Sequence, residues 1–311
     1  MTTSTEPLTA APRLTRARGR GRLDRHERRA AWLFLSPAIA VLTVFVVWPM
    51  VTAAWTSLTN ASLFGQASWV GLANYRRLLH DPRFRGALWH TFLYAVVTTP
   101  VSIVLALALA LLLNQALPGR GFFRAVIFFP FVASLGIVSI AWAFLLDPQV
   151  GLVSAWLNSA GLSLGNGVRD PSWALPIVMA VGIWRNTGFF MVMFLAGLQS
   201  VPRDLKEATV IDGANGVQRF RHLTWPLISN TTMFVSVIGA IFSFQAFDQM
   251  YVMTDGGPFF RTETMVMLIY GRGFQDYEMG YAAAISWVLV AIILVLSLAQ
   301  LGYFNRRVVR Y

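Results

Sequence analysis

The chain has 311 residues, of which 56% are hydrophobic and 13% charged, with a formal net charge of +11 and no cysteine. A soluble domain carries about 25% charged residues, so this composition points to a membrane protein. The missing cysteine excludes disulfides, thiolate metal sites and cysteine nucleophiles.

Residues 1–29 are polar and rich in arginine, with eight arginines between Arg13 and Arg29. They cannot bury a core, so a disordered, basic N-terminal tail is expected. Three more arginines lie between Arg306 and Arg310, in a short C-terminal tail over 306–311. Both clusters flank apolar runs, where basic residues stay on the cytoplasmic side. A nucleic-acid binder would spread them over a folded face with interleaved aromatics, so nucleic acid is not an expected partner.

A spanning helix needs about 20 mostly apolar residues. The first candidate lies within Ala31–Leu58, in a segment bounded as 30–60. It is too long for a signal-peptide core and lacks a clear small-residue cleavage site. A loop follows over 61–87, whose Leu72, Tyr75, Leu78 and Leu79 share one face at helical spacing. Five further spans fill 88–305: Leu88–Leu113, about Phe122–Leu146, Trp173–Gln199, about Pro226–Val252, and Met279–Phe304. The expected fold is an all-α polytopic membrane protein with six transmembrane helices and both termini in the cytoplasm. Segments 114–121 and 200–225 are then cytoplasmic, and 59–87, 147–172 and 253–278 lie outside. Arg76, Arg77, Arg83 and Arg85 run against this placement, since they fall in an outside segment.

Catalytic motifs are scarce. The one lysine, Lys206, is followed by Glu207, whereas a P-loop needs Lys followed by Ser or Thr after a glycine-rich turn. The chain is therefore expected to bind no ATP or other cofactor itself. Gly161-Leu162-Ser163-Leu164-Gly165 matches the nucleophile-elbow spacing, but in a short loop without histidine, away from the strand–turn–helix that motif requires. His26, His80, His90 and His222 include no pair four residues apart, and no metal constellation is expected. The chain reads as a non-enzyme.

The polar stretch 200–226, between the fourth and fifth spans, is the most informative. Arg203 to Val210 favours helix, Asp212-Gly213 breaks it, and a second short helix can run from Ala214 to about Leu223. Small residues at Ala208, Gly213 and Ala214 would let another protein approach closely. From the residues alone, a solvated loop with incidental helicity competes with this docking role.

This stretch resembles the cytoplasmic loop of binding-protein-dependent ABC importer permeases: Glu-Ala-Ala, three residues, Gly, nine residues, then Ile-x-Leu-Pro. Glu207, Ala208, Gly213 and Pro226 match at the right spacing, while Thr209, Leu223 and Trp225 depart from it. Phe247-Asp248 with the run Tyr251–Pro258, Gly71–Tyr75 and Leu195–Pro202 are similar to other stretches of carbohydrate-uptake permeases. The resemblance covers roughly residues 30–305 and implies the type I importer transmembrane-domain fold in a bacterial cell membrane. It implies a second permease chain, two ABC ATPase subunits that bind ATP and magnesium, and an extracytoplasmic solute-binding protein. It also implies import of a sugar, from an oligosaccharide or disaccharide to a glycerol-phosphate-like solute, by alternating access. Glu207, Ala208, Thr209, Asp212, Gly213 and Ala214 are the implied contacts to the ATPase.

Polar groups inside spans are costly and usually face a cavity or another helix. Arg185 and Asn186 lie near the middle of the fourth span, and Ser243, Gln245 and Asp248 lie in the fifth among phenylalanines. The resemblance points to Arg185, Asn186, Phe189, Phe242, Ser243, Gln245 and Asp248 as the substrate path. Packing alternatives stand beside it: Arg185 with Asp248 as a buried ion pair, the amides as interhelical glue, and the phenylalanines as core. Competing readings are an ion-gradient-driven secondary transporter and an intramembrane enzyme. The first would need intramembrane carboxylates in coupling positions, yet Asp248 is the only acid near a span core.

Overall fold

The computed structural model describes residues 25–162 and 164–305. Residues 1–24 of the tail expected over 1–29, the C-terminal tail 306–311 and Ser163 of the elbow-like pentapeptide lie outside these residues. The described chain is helical, and its only β pairing is an isolated bridge between Thr59 and Trp69. Two units divide it, Met1–Thr52 and Ala53–Tyr311.

Helix α1 (Arg25–Leu42) already begins inside the stretch expected to be a disordered tail. A wider π-type turn over Thr43–Val47 joins it to α2 (Trp48–Ser57), just ahead of Pro49, whose ring removes a helical donor. The stretch Arg29–Ser57 contains an 18-residue window with a mean hydropathy of 2.3, enough to cross a bilayer.

The short helix α3 (Ala73–His80) corrects the expected apolar face. Leu78 is buried and Tyr75 bonds Ser57 Oγ at 2.8 Å, but Leu72 and Leu79 are exposed. Asn74 Nδ2 fixes the helix by donating to the carbonyls of Ser57 and Thr59.

Helix α4 (Pro82–Leu113) starts six residues before the expected span, because Asp81 caps it and Pro82 suits its first turn. Its 32 residues reach about 48 Å, longer than the hydrocarbon layer. The loop expected over 61–87 therefore ends at Asp81. Arg124 Nη2 donates to the Leu113 carbonyl at 2.8 Å and satisfies the far end of α4.

The third expected span is interrupted. It forms α5 (Arg120–Val132) and α6 (Leu135–Leu145), bent by 97°. Pro130 removes a donor from the last turn of α5, and Ala133 and Ser134 are extended between the two helices. Hydropathy shows an unbroken apolar run here, which is why the sequence reads as one helix. A short α7 (Leu152–Ser159) follows, then α8 (Ala174–Gln199).

Helix α8 lies at the centre. A Cβ at Gly188 would meet the Ile127 backbone of α5, and one at Gly182 would meet the Tyr94 hydroxyl of α4. These two glycines let neighbouring helices come close, as small residues do in membrane bundles. Phe190, Phe194, Ile228 and Val235 fill the core beside α8.

After α8 come α9 (Arg203–Ile211), α10 (Gly216–Arg219), a π-type turn and α11 (Trp225–Leu227). The fifth span is also interrupted: α12 (Ser229–Phe244) stops at Gln245 and α13 (Asp248–Thr254) resumes. The carbonyl freed at Ala246 accepts a hydrogen bond from Thr264 Oγ1 at 2.8 Å. Non-helical backbone at membrane depth is tolerated where protein satisfies it in this way. Helix α14 (Met265–Tyr270), within the segment expected as an outer loop, and α15 (Met279–Asn305) complete the chain. Five helices are long and apolar enough to span, and six if the bent α5–α6 pair counts as one.

The start of α4 shares one face of the molecule with the segments before α14 and α15. There Arg77 pairs with Glu278, Arg83 with Glu263, and Arg272 with Asp81 and Asp276. The arginines that run against the expected orientation thus include two, Arg77 and Arg83, neutralised by acids far along the chain.

Candidate functional site

Two regions carry the sequence-predicted residues. The first is the surface segment α9–α10, on the side opposite that ion-pair face. Asp204 sits in the first turn of α9, where the helix dipole favours an acid. Lys206 Nζ donates back to the Leu198 carbonyl at 3.1 Å and ties α9 to the end of α8. The helix ends at Asp212, and Gly213 adopts φ +71°. The Gly213 N–H reaches the Val210 carbonyl and the Ala214 N–H reaches the Thr209 carbonyl, both at 3.1 Å. Those two bonds form a Schellman motif, and its left-handed residue is the reason glycine stands at 213.

The next helix starts at Gly216, two residues later than Ala214. Asn215 Oδ1 accepts from the Gln218 N–H and Gln218 Oε1 accepts from the Asn215 N–H, a reciprocal capping box. Both caps fix the turn without help from any neighbour. Glu207, Ala208, Asp212 and Gly213 are exposed, and Thr209 and Ala214 are half-buried. The Thr209 hydroxyl bonds back to the Lys206 carbonyl, so it replaces alanine without disturbing the helix. Trp225 packs against Phe220 at 6.1 Å.

Sequence reasoning missed two members of this surface. Ile211 is 86% exposed and Val217 75%, on either side of Gly213. Three β-branched apolar residues in a largely polar segment, Val210, Ile211 and Val217, were the available signal.

The second region is a cavity of about 220 Å³ where both interrupted spans break. Phe131 and Leu135 line it from the α5–α6 break, and Gln245, Phe247 and Asp248 from the α12–α13 break. Arg185 and Asn186 of α8 and Phe242 of α12, all expected, line it too. Arg185 lies over the Phe131 ring, 4.7 Å from its centroid, with Nη2 3.5 Å from the Phe131 carbonyl. Its buried Nε has no partner. Among the described residues no ion pair joins Arg185 to Asp248, so the alternative of a buried pair is not what the structure contains.

Two expected path residues lie elsewhere. Ser243 is buried against α4, where its hydroxyl bonds Thr98 Oγ1 at 3.1 Å and Thr99 Oγ1 at 2.8 Å. One residue along a helix turns the side chain by about 100°, which moves Ser243 off the face that Phe242 occupies. Phe189 stacks on Phe131 at 4.4 Å and supports the cavity wall from behind.

The cavity also has members the sequence did not single out. Gln249 Nε2 donates to the Tyr94 hydroxyl at 2.6 Å, and both line the space with Phe131. A tyrosine in the middle of the second span was a legible sign, whereas Phe131 enters only because the chain bends after it.

A family model described as "Binding-protein-dependent transport system inner membrane component" matches residues 70–310. The sn-glycerol-3-phosphate transport system permease protein UgpA of Agrobacterium fabrum is 33% identical over 279 residues, covering 89% of this chain and 95% of that protein. The protein of the same name from Salmonella choleraesuis is 30% identical, covering 90% and 96%. Among solved structures, a chain of a bacterial ABC transporter involved in the import of the acidic polysaccharide alginate superimposes with a TM-score of 0.80. It is 23% identical, with 92% of this chain and 99% of that chain covered. A bacterial alginate ABC transporter in complex with an alginate pentasaccharide-bound periplasmic protein gives 0.78 at 22% identity, with 90% and 96% covered.

Proposed function

This chain belongs to the binding-protein-dependent transport system inner membrane components, and from that membership we propose that it imports a small anionic polyol or sugar phosphate. It is a membrane-spanning permease of an ABC importer. The observation that carries the substrate reading is the cavity beside α8. Arg185 brings a positive charge whose Nε is unpartnered and which no carboxylate contacts directly, Asp248 faces the same space, and Asn186, Gln245 and Gln249 bring groups suited to hydroxyls. A half-buried guanidinium with an unpartnered Nε is well placed to take an anionic ligand group through a charge-assisted hydrogen bond. The volume of about 220 Å³ equals that of roughly seven waters. A three- to six-carbon solute fits that space better than an oligosaccharide does. The names of the glycerol 3-phosphate relatives agree with this size and charge.

Energy enters from outside the chain. ATP and magnesium belong to two partner ATPase subunits, since Lys206 and Glu207 offer no P-loop. The docking surface for those subunits is Glu207, Ala208, Thr209, Asp212, Gly213 and Ala214, extended by Ile211 and Val217. A second permease chain and an extracytoplasmic solute-binding protein complete the importer. The termini and the α9–α10 segment face the cytoplasm, and the ion-pair face lies outside. No observation favours the ion-gradient alternative.

The test is uptake into proteoliposomes that hold the complete importer. Glycerol 3-phosphate should be transported and a neutral disaccharide should not. Arg185→Gln should abolish the distinction, and equal uptake of both solutes by the wild type would overturn the substrate reading.

A further inference from the structure

An apolar hollow lies between α4 and α15, apart from the cavity beside Arg185. It has a volume of about 700 Å³ and walls of Leu88, Trp89, Phe92, Val288, Ala291 and Val295. One charged residue stands at its rim, Arg85, in the first turns of α4. The groove descends from Arg85 to Phe92, about 10 Å along the helix, so it runs from the membrane boundary into the hydrocarbon.

Arg85 is the unusual element. On the same face Arg77 and Arg83 are gripped by Glu278 and Glu263, yet Arg85 has no acid within 4 Å among the described residues. It is exposed, one helical turn above the exposed Trp89. Tryptophan at that level is the mark of the interface between headgroups and acyl chains. A cation at the rim and an apolar trench below it reproduce, in complement, a phosphate above a hydrocarbon chain.

We infer that the groove between α4 and α15 binds an anionic phospholipid, with one acyl chain in the trench and the headgroup phosphate on Arg85. Charge complementarity selects the occupant. An apolar protein helix offers the guanidinium no anion and a zwitterionic lipid offers a phosphate offset by its own cation, whereas an anionic headgroup brings a net negative charge to it. The site is independent of which solute is carried.

Native mass spectrometry of the full chain, titrated with phosphatidylglycerol and with phosphatidylcholine, tests this. The wild type should retain phosphatidylglycerol in preference, by about fivefold for one basic contact. Arg85→Gln, an exposed substitution, should bring the two lipids to parity. Ala291→Phe, which fills the trench, should reduce retention of both, while Arg76→Gln should change nothing. Equal retention of phosphatidylglycerol by wild type and Arg85→Gln overturns the inference. So does retention untouched by Ala291→Phe, or its loss on assembly with the partner permease, because a protein helix then fills the groove.

Discussion

Arg83 grips Glu263 across 180 residues of sequence, with Nε 2.9 Å from Oε2 and Nη2 2.7 Å from Oε1. The pair locks the start of α4 to the segment leading into α14. Glu263 is almost fully buried while Arg83 is about a third exposed. Glu263→Ala should destabilise the protein by about 2–3 kcal/mol, the range for hydrogen bonds to a charged group, and not by the larger loss of a fully buried pair. Thermal unfolding in detergent measures it. A midpoint equal to wild type would show that the fork adds nothing.

Asp81 should make stability depend on acid. Burial pushes its carboxyl up, but the Tyr281 hydroxyl, the N–H groups of Arg83 and Phe84, and the charge of Arg272 outweigh it and hold the carboxyl below its ordinary value. A depressed value in the folded state means the stabilisation is complete above the ordinary carboxylate range and is lost as pH falls through the folded value. The midpoint difference between wild type and Asp81→Asn should therefore be flat from about pH 5 to 8 and shrink below about pH 4. A difference that grows on acidification would contradict the arrangement.

Gly213 separates strain from steric fit. A Cβ there meets nothing within 4 Å, so Gly213→Ala costs only the left-handed backbone, about 1–2 kcal/mol. Uptake by that variant should fall only in part. Gly213→Glu and Gly213→Pro should abolish uptake while the protein still reaches the membrane, because they change the docking surface or the turn itself. Transport at the normal rate by both would remove the coupling role.

Arg185 and Ser243 should part company in kinetics. Arg185→Gln should raise KM for the solute at least tenfold, since it removes the cavity's cation. Ser243→Ala removes bonds to Thr98 and Thr99 and should cost about 0.6 kcal/mol of stability with KM unchanged, the usual size of such interhelical bonds. A raised KM in Ser243→Ala would return that residue to the substrate path.

The spans were legible because twenty apolar residues have few other uses, and the α9 break was legible because Asp212-Gly213 is a strong turn signal. The breaks inside the third and fifth spans were hidden. Around Ala133 the composition stays apolar, and around Gln245 the polar side chains read as groups facing a cavity within one continuous helix, while the carbonyl freed there is answered by a distant donor, Thr264. Half of the cavity depends on those breaks, so Phe131 and Gln249 were invisible for the same reason. The arginines of 59–87 ran against the expected orientation for a different reason: charge counting cannot see that Arg77 and Arg83 meet Glu278 and Glu263 after folding.

The short helices α6 and α13, each the second piece of an interrupted span, pack on one another. Their contact means that the two breaks adjoin one rigid pairing, so any opening of the cavity that keeps this pairing has to turn about Ala133–Ser134 and Gln245–Phe247. A cysteine bridge between α6 and α13 should therefore leave the transport cycle running, whereas a bridge across either break should halt it.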